Sequence, residues 1–363
     1  MTPMTPHERF RACALYRPFD RVPLWEWEPW PSTLRRWQRE ALGEGGEPPQ
    51  FAECDSKRTC AVDMWMRPRF AERVLHEDAE SITKLSDRGQ IIRTLKDPDA
   101  TTMPQHLEYP VKTRADWEAL KKRFDPCDTG RYPADWLQLC AQWRAEGCSL
   151  ILTGPRSPGF FGFVRELLGP ERALTAFCDE PDLIHDMMEF NAAFLAALLP
   201  RALAEAPLTA IMFWEDMCYR GGPLISPRMF REFMLPPYQR LTALARRHGV
   251  ETIYVDSDGN IEQLIPLWLE AGINGMFPLE VAAGMDVAKL RRQYGRDLFC
   301  IGGIDKRVLA RDRRTIDREL RRTLPLAERG GYIPHLDHAI PHDVPYANFA
   351  YYWERKKKML GVA

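Results

Sequence analysis

The sequence has no Cys-x-x-Cys pair, no Gly-x-Gly-x-x-Gly loop, no internal repeat and no low-complexity linker. Its nine cysteines (Cys13, Cys54, Cys60, Cys127, Cys140, Cys148, Cys178, Cys218 and Cys300) are odd in number and irregular in spacing. That pattern excludes a disulfide framework and a paired-cysteine zinc module, and is expected of reduced thiols in a cytoplasmic protein. No apolar run approaches the ~18 residues of a membrane span; the apolar stretch near 194–200 ends at Pro200. The N-terminal MTPMTPHERF lacks the basic-then-apolar order of a secretory signal. Basic excess is missing too. Lys and Arg number 50 against 51 Asp and Glu, so no polyanion partner, nucleic acid included, is expected.

What is present points to a large folded core, with 45% hydrophobic and 28% charged residues in 363. Short apolar runs alternate with longer amphipathic stretches. Val22–Trp27, Cys60–Met66, Ser149–Thr153, Leu208–Trp214, Glu251–Asp256, Ile273–Pro278, Leu298–Gly302 and Gly331–Pro334 read as buried parallel strands bounded by turn residues. Glu180–Leu203 and Pro227–His248 read as the longest helices, the second capped by Ser226 with proline at its first position. Asn260–Ala271 reads as a helix stopped by Gly272. About eight strand–helix units without a dinucleotide-binding loop predict an α/β fold, a (β/α)8 TIM barrel forming a single domain over 1–363. Residues 78–112 break the alternation. Gln90–Lys96, after Asp87-Arg88-Gly89, resembles half of a β-hairpin inserted into the barrel.

In such barrels chemistry sits at the C-terminal ends of the strands. The polar residues there are Glu26 and Glu28, Asp63, Arg156, Glu215 and Asp216, Asp256 and Asp258, Glu280, Asp305, His335 and His338. So many carboxylates cannot all stay ionised without a cation, basic substrate groups or shared protons. Asp256-Ser257-Asp258-Gly259-Asn260 is the leading metal candidate, with His338 completing a set of two carboxylates and an imidazole suited to Zn, Mn or Fe. The same five residues also read as a plain turn with a helix cap. An EF-hand is excluded because no Glu stands at the twelfth position. Phe213-Trp214-Glu215-Asp216 offers a general acid or base beside aromatic neighbours, or alternatively a carboxylate that binds backbone N–H groups. Glu280 shares the strand-end logic. Trp25, Trp27, Trp30, Phe213, Arg156 and His335 are the expected substrate contacts.

Several segments resemble the uroporphyrinogen-decarboxylase-like superfamily: TPHERFRACALYRPFDRVPLWEW, WEDMCYRGGPLISPRMFREFMLPPYQRL, YVDSDGNIEQLIPLWLEAGINGMFPLE, CIGGIDKRVLA and GGYIPHLDHAIPHDVPYANFAYY. Together they span nearly the whole chain outside 78–135. The resemblance implies a barrel. It also implies one of two activities, decarboxylation of a tetrapyrrole or methyl transfer linked to a corrinoid protein. The decarboxylases carry an arginine-rich segment after the first strand, where this chain reads Trp25-Glu26-Trp27-Glu28-Pro29-Trp30. Acidic residues there would repel a polycarboxylate. The methyltransferases hold zinc with a His-x-Cys pair and a later Cys, and the matching places here are Asp256, Asp258 and His338. Carboxylate and imidazole in place of thiolate imply a harder metal or a more Lewis-acidic zinc, and activation of an oxygen or amine rather than a thiol.

The expectation is therefore a metal-dependent methyltransferase or demethylase acting on a small organic substrate, such as a methoxylated aromatic. Asp256, Asp258 and His338 hold the metal, Glu215, Asp216 or Glu280 moves the proton, and a separate corrinoid protein is the methyl partner. The rival readings are a decarboxylase of a small acid and a non-catalytic barrel that captures a corrinoid or tetrapyrrole. A homodimer is expected from the implied relatives.

Overall fold

The computed structural model describes residues 2–97, 103–154 and 158–362. Seven strands run parallel in one curled sheet: β1 Lys57–Thr59, β2 Ser149–Leu152, β3 Leu208–Trp214, β4 Ile253–Asp256, β5 Gly275–Phe277, β6 Phe299–Ile304 and β7 Tyr332–Leu336. Their order across the sheet is their order in the chain, as successive right-handed strand–helix–strand crossovers require. Side chains paired across parallel strands share a face. Met212, Tyr254 and Gly275 lie in one register row, and Asp256 pairs with Phe277 in the next row on the same face.

That inner face forms its own apolar cluster with Trp25, Ile151, Ala210, Tyr254, Phe277, Phe299, Ile301 and Ile333. The helix Pro6–Ala14 closes it from below through Phe10 and Cys13. Thr5 caps this helix in a reciprocal box with Glu8, which fixes where it starts. The outer face packs a larger cluster against the surrounding helices.

The expected first strand does not form a ladder. Val22–Trp27 is extended but is not assigned as strand among the described residues. It lies between the two ends of the sheet, where Asp55 N donates to Leu24 O at 2.9 Å and Trp30 N donates to Ile340 O at 3.1 Å. Proline at 23 and 29 removes two of the donors a ladder needs. The sheet is thus a seven-stranded parallel half-barrel rather than the eight-stranded closed ladder expected.

The second strand is also displaced. It ends at Thr59, and Cys60–Met66 is a buried loop. Arg131 makes this burial tolerable, because its guanidinium donates to Asp63 O at 2.9 Å and Trp65 O at 2.7 Å. The excursion exceeds a hairpin. It is a four-stranded antiparallel sheet of Arg73–Glu77, Ser81–Leu85, Ile91–Leu95 and Gln105–Glu108.

The long helices break where proline dictates. Pro181–Leu198 is followed by a separate helix from Pro200. The stretch after Ser226 passes through a π turn at Phe230–Met234, because Pro236 and Pro237 cannot donate back along the helix. The helix expected from Asn260 begins only at Ile265. Asn260 instead accepts from Glu262 N and donates to Ala283 O. None of the nine cysteines is paired. Among the described residues no helix is long and apolar enough to cross a membrane.

Candidate active site at the strand ends

Asp256 is the last residue of β4, and the period-two alternation that turns Tyr254 inward turns Asp256 inward as well. Beyond it the chain turns sharply. Ser257 N donates to Phe277 O at 3.0 Å, and Gly259 N donates to Glu280 Oε2 at 3.0 Å. Gly259 has a φ of +82°, and a Cβ there would meet the backbone of Cys218 and Tyr219 at 2.7 Å. Only glycine fits both demands, so the turn holds Asp258 in one place.

The third member comes from the neighbouring strand. Asp216, two residues past β3, adopts a left-handed φ of 45° that is costly without glycine. Arg165 holds this turn by donating to Asp216 O at 2.7 Å. As a result Asp216, Asp256 and Asp258 each offer a carboxylate oxygen within 4.8 Å of the others. Burial pushes the Asp216 and Asp256 carboxyls above their ordinary range, and mutual repulsion with Asp258 adds to the shift. His338 stands at the edge of the group, with Nε2 3.6 Å from Asp258 Oδ2.

Below the aspartates lies a cavity of about 220 Å³ lined by Trp25, Trp27, Lys57, Tyr254, Phe277 and His335, with Asp256 at its rim. Trp27 stacks on Phe277 at 5.3 Å and on His338 at 5.4 Å, and Trp30 stacks on His338 at 6.1 Å. The tryptophans therefore connect cavity wall to carboxylate cluster. His335 is buried, and burial lowers its pKa to about 4, so the ring is neutral at physiological pH. Its Nδ1–H donates to Leu336 O at 2.7 Å, which leaves the lone pair on Nε2. His335 can accept a hydrogen bond there.

Other expected site residues lie elsewhere. Phe213 points to the outer face and packs on Tyr238 with ring centroids 5.1 Å apart. One residue of alternation separates it from Met212, which lines the cavity instead. Glu215 is fully buried on that same outer side. Its carboxylate accepts from Phe160 N at 2.7 Å, from Gly162 N at 2.9 Å and from the Tyr238 hydroxyl. Burial raises its pKa to about 7. That value suits proton transfer, but the position does not, since Glu215 ties β3 to the helix Phe161–Leu168. Glu280 supports the Asp258 turn and lies 3.6 Å from Lys306 Nζ. Arg156 falls outside the described residues. Lys57, Met212 and Tyr254 were not among the expected contacts.

Glu215 yields a prediction about pH. A carboxyl at about 7 in the fold, against 4.5 as its ordinary value, keeps its proton in the folded state across that interval. Its contribution to stability is complete below the lower value and is lost as pH rises through the upper one. Urea denaturation of wild type and Glu215→Gln between pH 4.5 and 7.5 should therefore give a difference that shifts in favour of the variant as pH rises. A constant difference would contradict this.

The chain has counterparts among known proteins. Residues 99–359 match the family model of uroporphyrinogen decarboxylase (URO-D). The chain is 24% identical over 181 residues to a chloroplastic uroporphyrinogen decarboxylase of Nicotiana tabacum, covering 49% of this chain and 44% of that protein. It is 29% identical over 173 residues to a uroporphyrinogen decarboxylase of Paraburkholderia phytofirmans, covering 47% and 45%. The matched stretch thus spans a little under half of each relative. A methyltransferase from Methanosarcina mazei superposes with a TM-score of 0.59 at 12% identity, covering 98% of this chain and 99% of that one. At that identity the likeness is one of fold.

Proposed function

Because the chain belongs to the uroporphyrinogen decarboxylase family, and carries a carboxylate cluster at its strand ends, we propose that it is a metal-dependent methyltransferase or demethylase of a small organic substrate. The observation behind this reading is the convergence of Asp216, Asp256 and Asp258 within 4.8 Å, with Asp256 also lining the aromatic cavity. Oxygen ligands around a divalent cation at ~2.0–2.6 Å lie no more than ~5 Å apart. The three carboxylates fit that span, and His338 beside Asp258 extends the set to a mixed oxygen–nitrogen donor group.

Zinc, manganese and iron all suit these donors. Such an ion, when bound, supplies Lewis-acid polarisation of a substrate oxygen or nitrogen. The protein's own residues do the rest. Tyr254, Phe277, Met212 and Ile301 give the cavity an apolar wall against which a planar substrate can lie. The apolar lining limits water around the reacting end. His335 Nε2, held neutral by burial, can accept a hydrogen bond from a substrate hydroxyl at the cavity wall. The methyl acceptor in this reading is a corrinoid on a separate protein.

A second reading, decarboxylation of a small acid, is favoured by the curated relatives, which are decarboxylases. Product analysis separates the two. Purified protein given candidate methoxylated acids, a divalent metal and a corrinoid acceptor should yield demethylated product and no carbon dioxide. Carbon dioxide release without methyl loss would replace the first reading with the second.

A further inference from the structure

The inner cavity contains a lysine that no strand-end argument accounts for. Lys57 opens β1, and its register partner is Ser149, two residues before the pair Thr59 and Ile151. Ile151 belongs to the inner apolar cluster, so the alternation directs Lys57 and Thr59 inward. Arg58, between them, points outward and pairs with Glu146 at 3.6 Å. The Lys57 ammonium lies over the Trp25 ring, 5.1 Å from its centroid. Among the described residues it makes no hydrogen bond or ion pair. Lys57 is exposed, yet protein surrounds its ammonium closely enough for desolvation to lower its pKa, against the opposing pull of Glu28 and Glu26.

The two indoles beside it are also short of partners. Trp25 Nε1 and Trp27 Nε1 are both buried, and neither has a hydrogen-bond acceptor. Both tryptophans line the same cavity as Lys57. A buried N–H without an acceptor costs ~1–3 kcal/mol. These two N–H groups are shut off from the cavity as well as from solvent, so it is the Lys57 ammonium, without a partner among the described residues, that calls for a negatively charged, oxygen-bearing ligand. The opposite end of the cavity carries Asp256, which would repel such a group. The wall between consists of Tyr254, Phe277, Met212 and Ile301. At ~30 Å³ for each water, about 220 Å³ corresponds to about seven waters, so the cavity takes a small molecule.

We propose that Lys57 anchors a carboxylate of the substrate, and that the substrate is a small aromatic or apolar monocarboxylic acid. Its carboxylate lies against Lys57, and its other end reaches toward Asp256. This deepens the proposed function, since it rests on the cavity being the substrate site. It does not depend on the metal.

The test is calorimetric titration of metal-free protein with benzoate, 4-methoxybenzoate and the two corresponding amides. At least one acid should bind, and its amide should bind at least tenfold more weakly. Lys57→Met should weaken acid binding at least tenfold, with the circular dichroism spectrum unchanged, and Lys57→Arg should retain part of it. Amide binding as tight as acid binding, no binding of either acid at millimolar concentration, or full affinity in Lys57→Met would overturn the proposal. Repeating the titration in Asp256→Asn keeps the question separate from the metal. Acid binding that persists there supports the anchor even if the metal reading fails.

Discussion

Asp256→Asn should lower divalent metal affinity by more than the ~10–100-fold typical of losing an outer-sphere partner, and should reduce methyl transfer at least as much. The substitution keeps the side chain's size and removes one of three negative charges. Its effect on stability should therefore change sign with the metal. Without a cation, Asp216, Asp256 and Asp258 repel one another in a partly buried site, and burial with this repulsion already pushes Asp256 upward. An amide spares the fold the cost of burying an acid beside two others, whether that cost is met as charge repulsion or as a bound proton, so the metal-free variant should melt above metal-free wild type. With metal at a hundred times its dissociation constant, the wild type gains ~2.7 kcal/mol by mass action. The variant gains much less, and the order of melting temperatures should invert. Calorimetric melts with and without Mn(II) or Zn(II), together with metal titration, read both effects. The metal site is excluded if the order is the same in both conditions.

The inversion depends on a cluster only partly legible in the sequence. Asp256 and Asp258 follow an apolar run, and the β4 alternation is enough to place the first of them. Asp216 could be named as a strand-end acid, but its approach to the other two depends on a left-handed turn held by Arg165, some fifty residues earlier. Nothing in local pattern encodes that contact. Phe213 and Glu215 show the limit of reading strand ends as one set. Residues of odd and even position face opposite sides of the sheet, and only the register of β3 on β4 shows that Met212 faces inward and Phe213 outward. Lys57 illustrates the reverse problem. It sits in Cys54-Asp55-Ser56-Lys57-Arg58-Thr59, a stretch polar enough to pass for a loop, and becomes a cavity residue only through pairing with a strand about ninety residues later. The periodicity located β2 to β7 well because those strands are buried almost throughout, and missed β1, whose three residues are exposed. It misjudged Val22–Trp27, where prolines prevent a ladder although burial resembles that of a strand.

That segment must be held by something other than a ladder, and the largest stability effect is expected there. Glu26 and Lys356 are both fully buried, with Lys356 Nζ 2.8 Å from Glu26 Oε2. Lys356 also donates to Trp25 O at 2.8 Å, and Glu26 accepts from Leu336 N at 2.9 Å and from the Tyr352 hydroxyl at 2.6 Å. Three parts of the chain meet at this one carboxylate: the extended segment, β7 and the helix Tyr346–Leu360. Lys356→Met should cost ~3–5 kcal/mol, because it leaves the carboxylate buried without its cation. The cost should shrink on acidification. Lys356 keeps the Glu26 carboxyl below its ordinary range against strong desolvation. Without the lysine, burial raises that carboxyl above its unfolded value, so the variant is relatively more stable at low pH and loses stability as pH rises. Glu26→Gln/Lys356→Met should recover much of the loss, since the two changes act on one interaction and are not additive. Urea denaturation of the three proteins at pH 5 and pH 7.5 measures all of this. A Lys356→Met cost below ~1 kcal/mol at pH 7.5 would show the pair to be dispensable. If the pair does act as argued, the same variant should also weaken ligand binding, because Trp25 and Trp27 flank Glu26 and line the cavity.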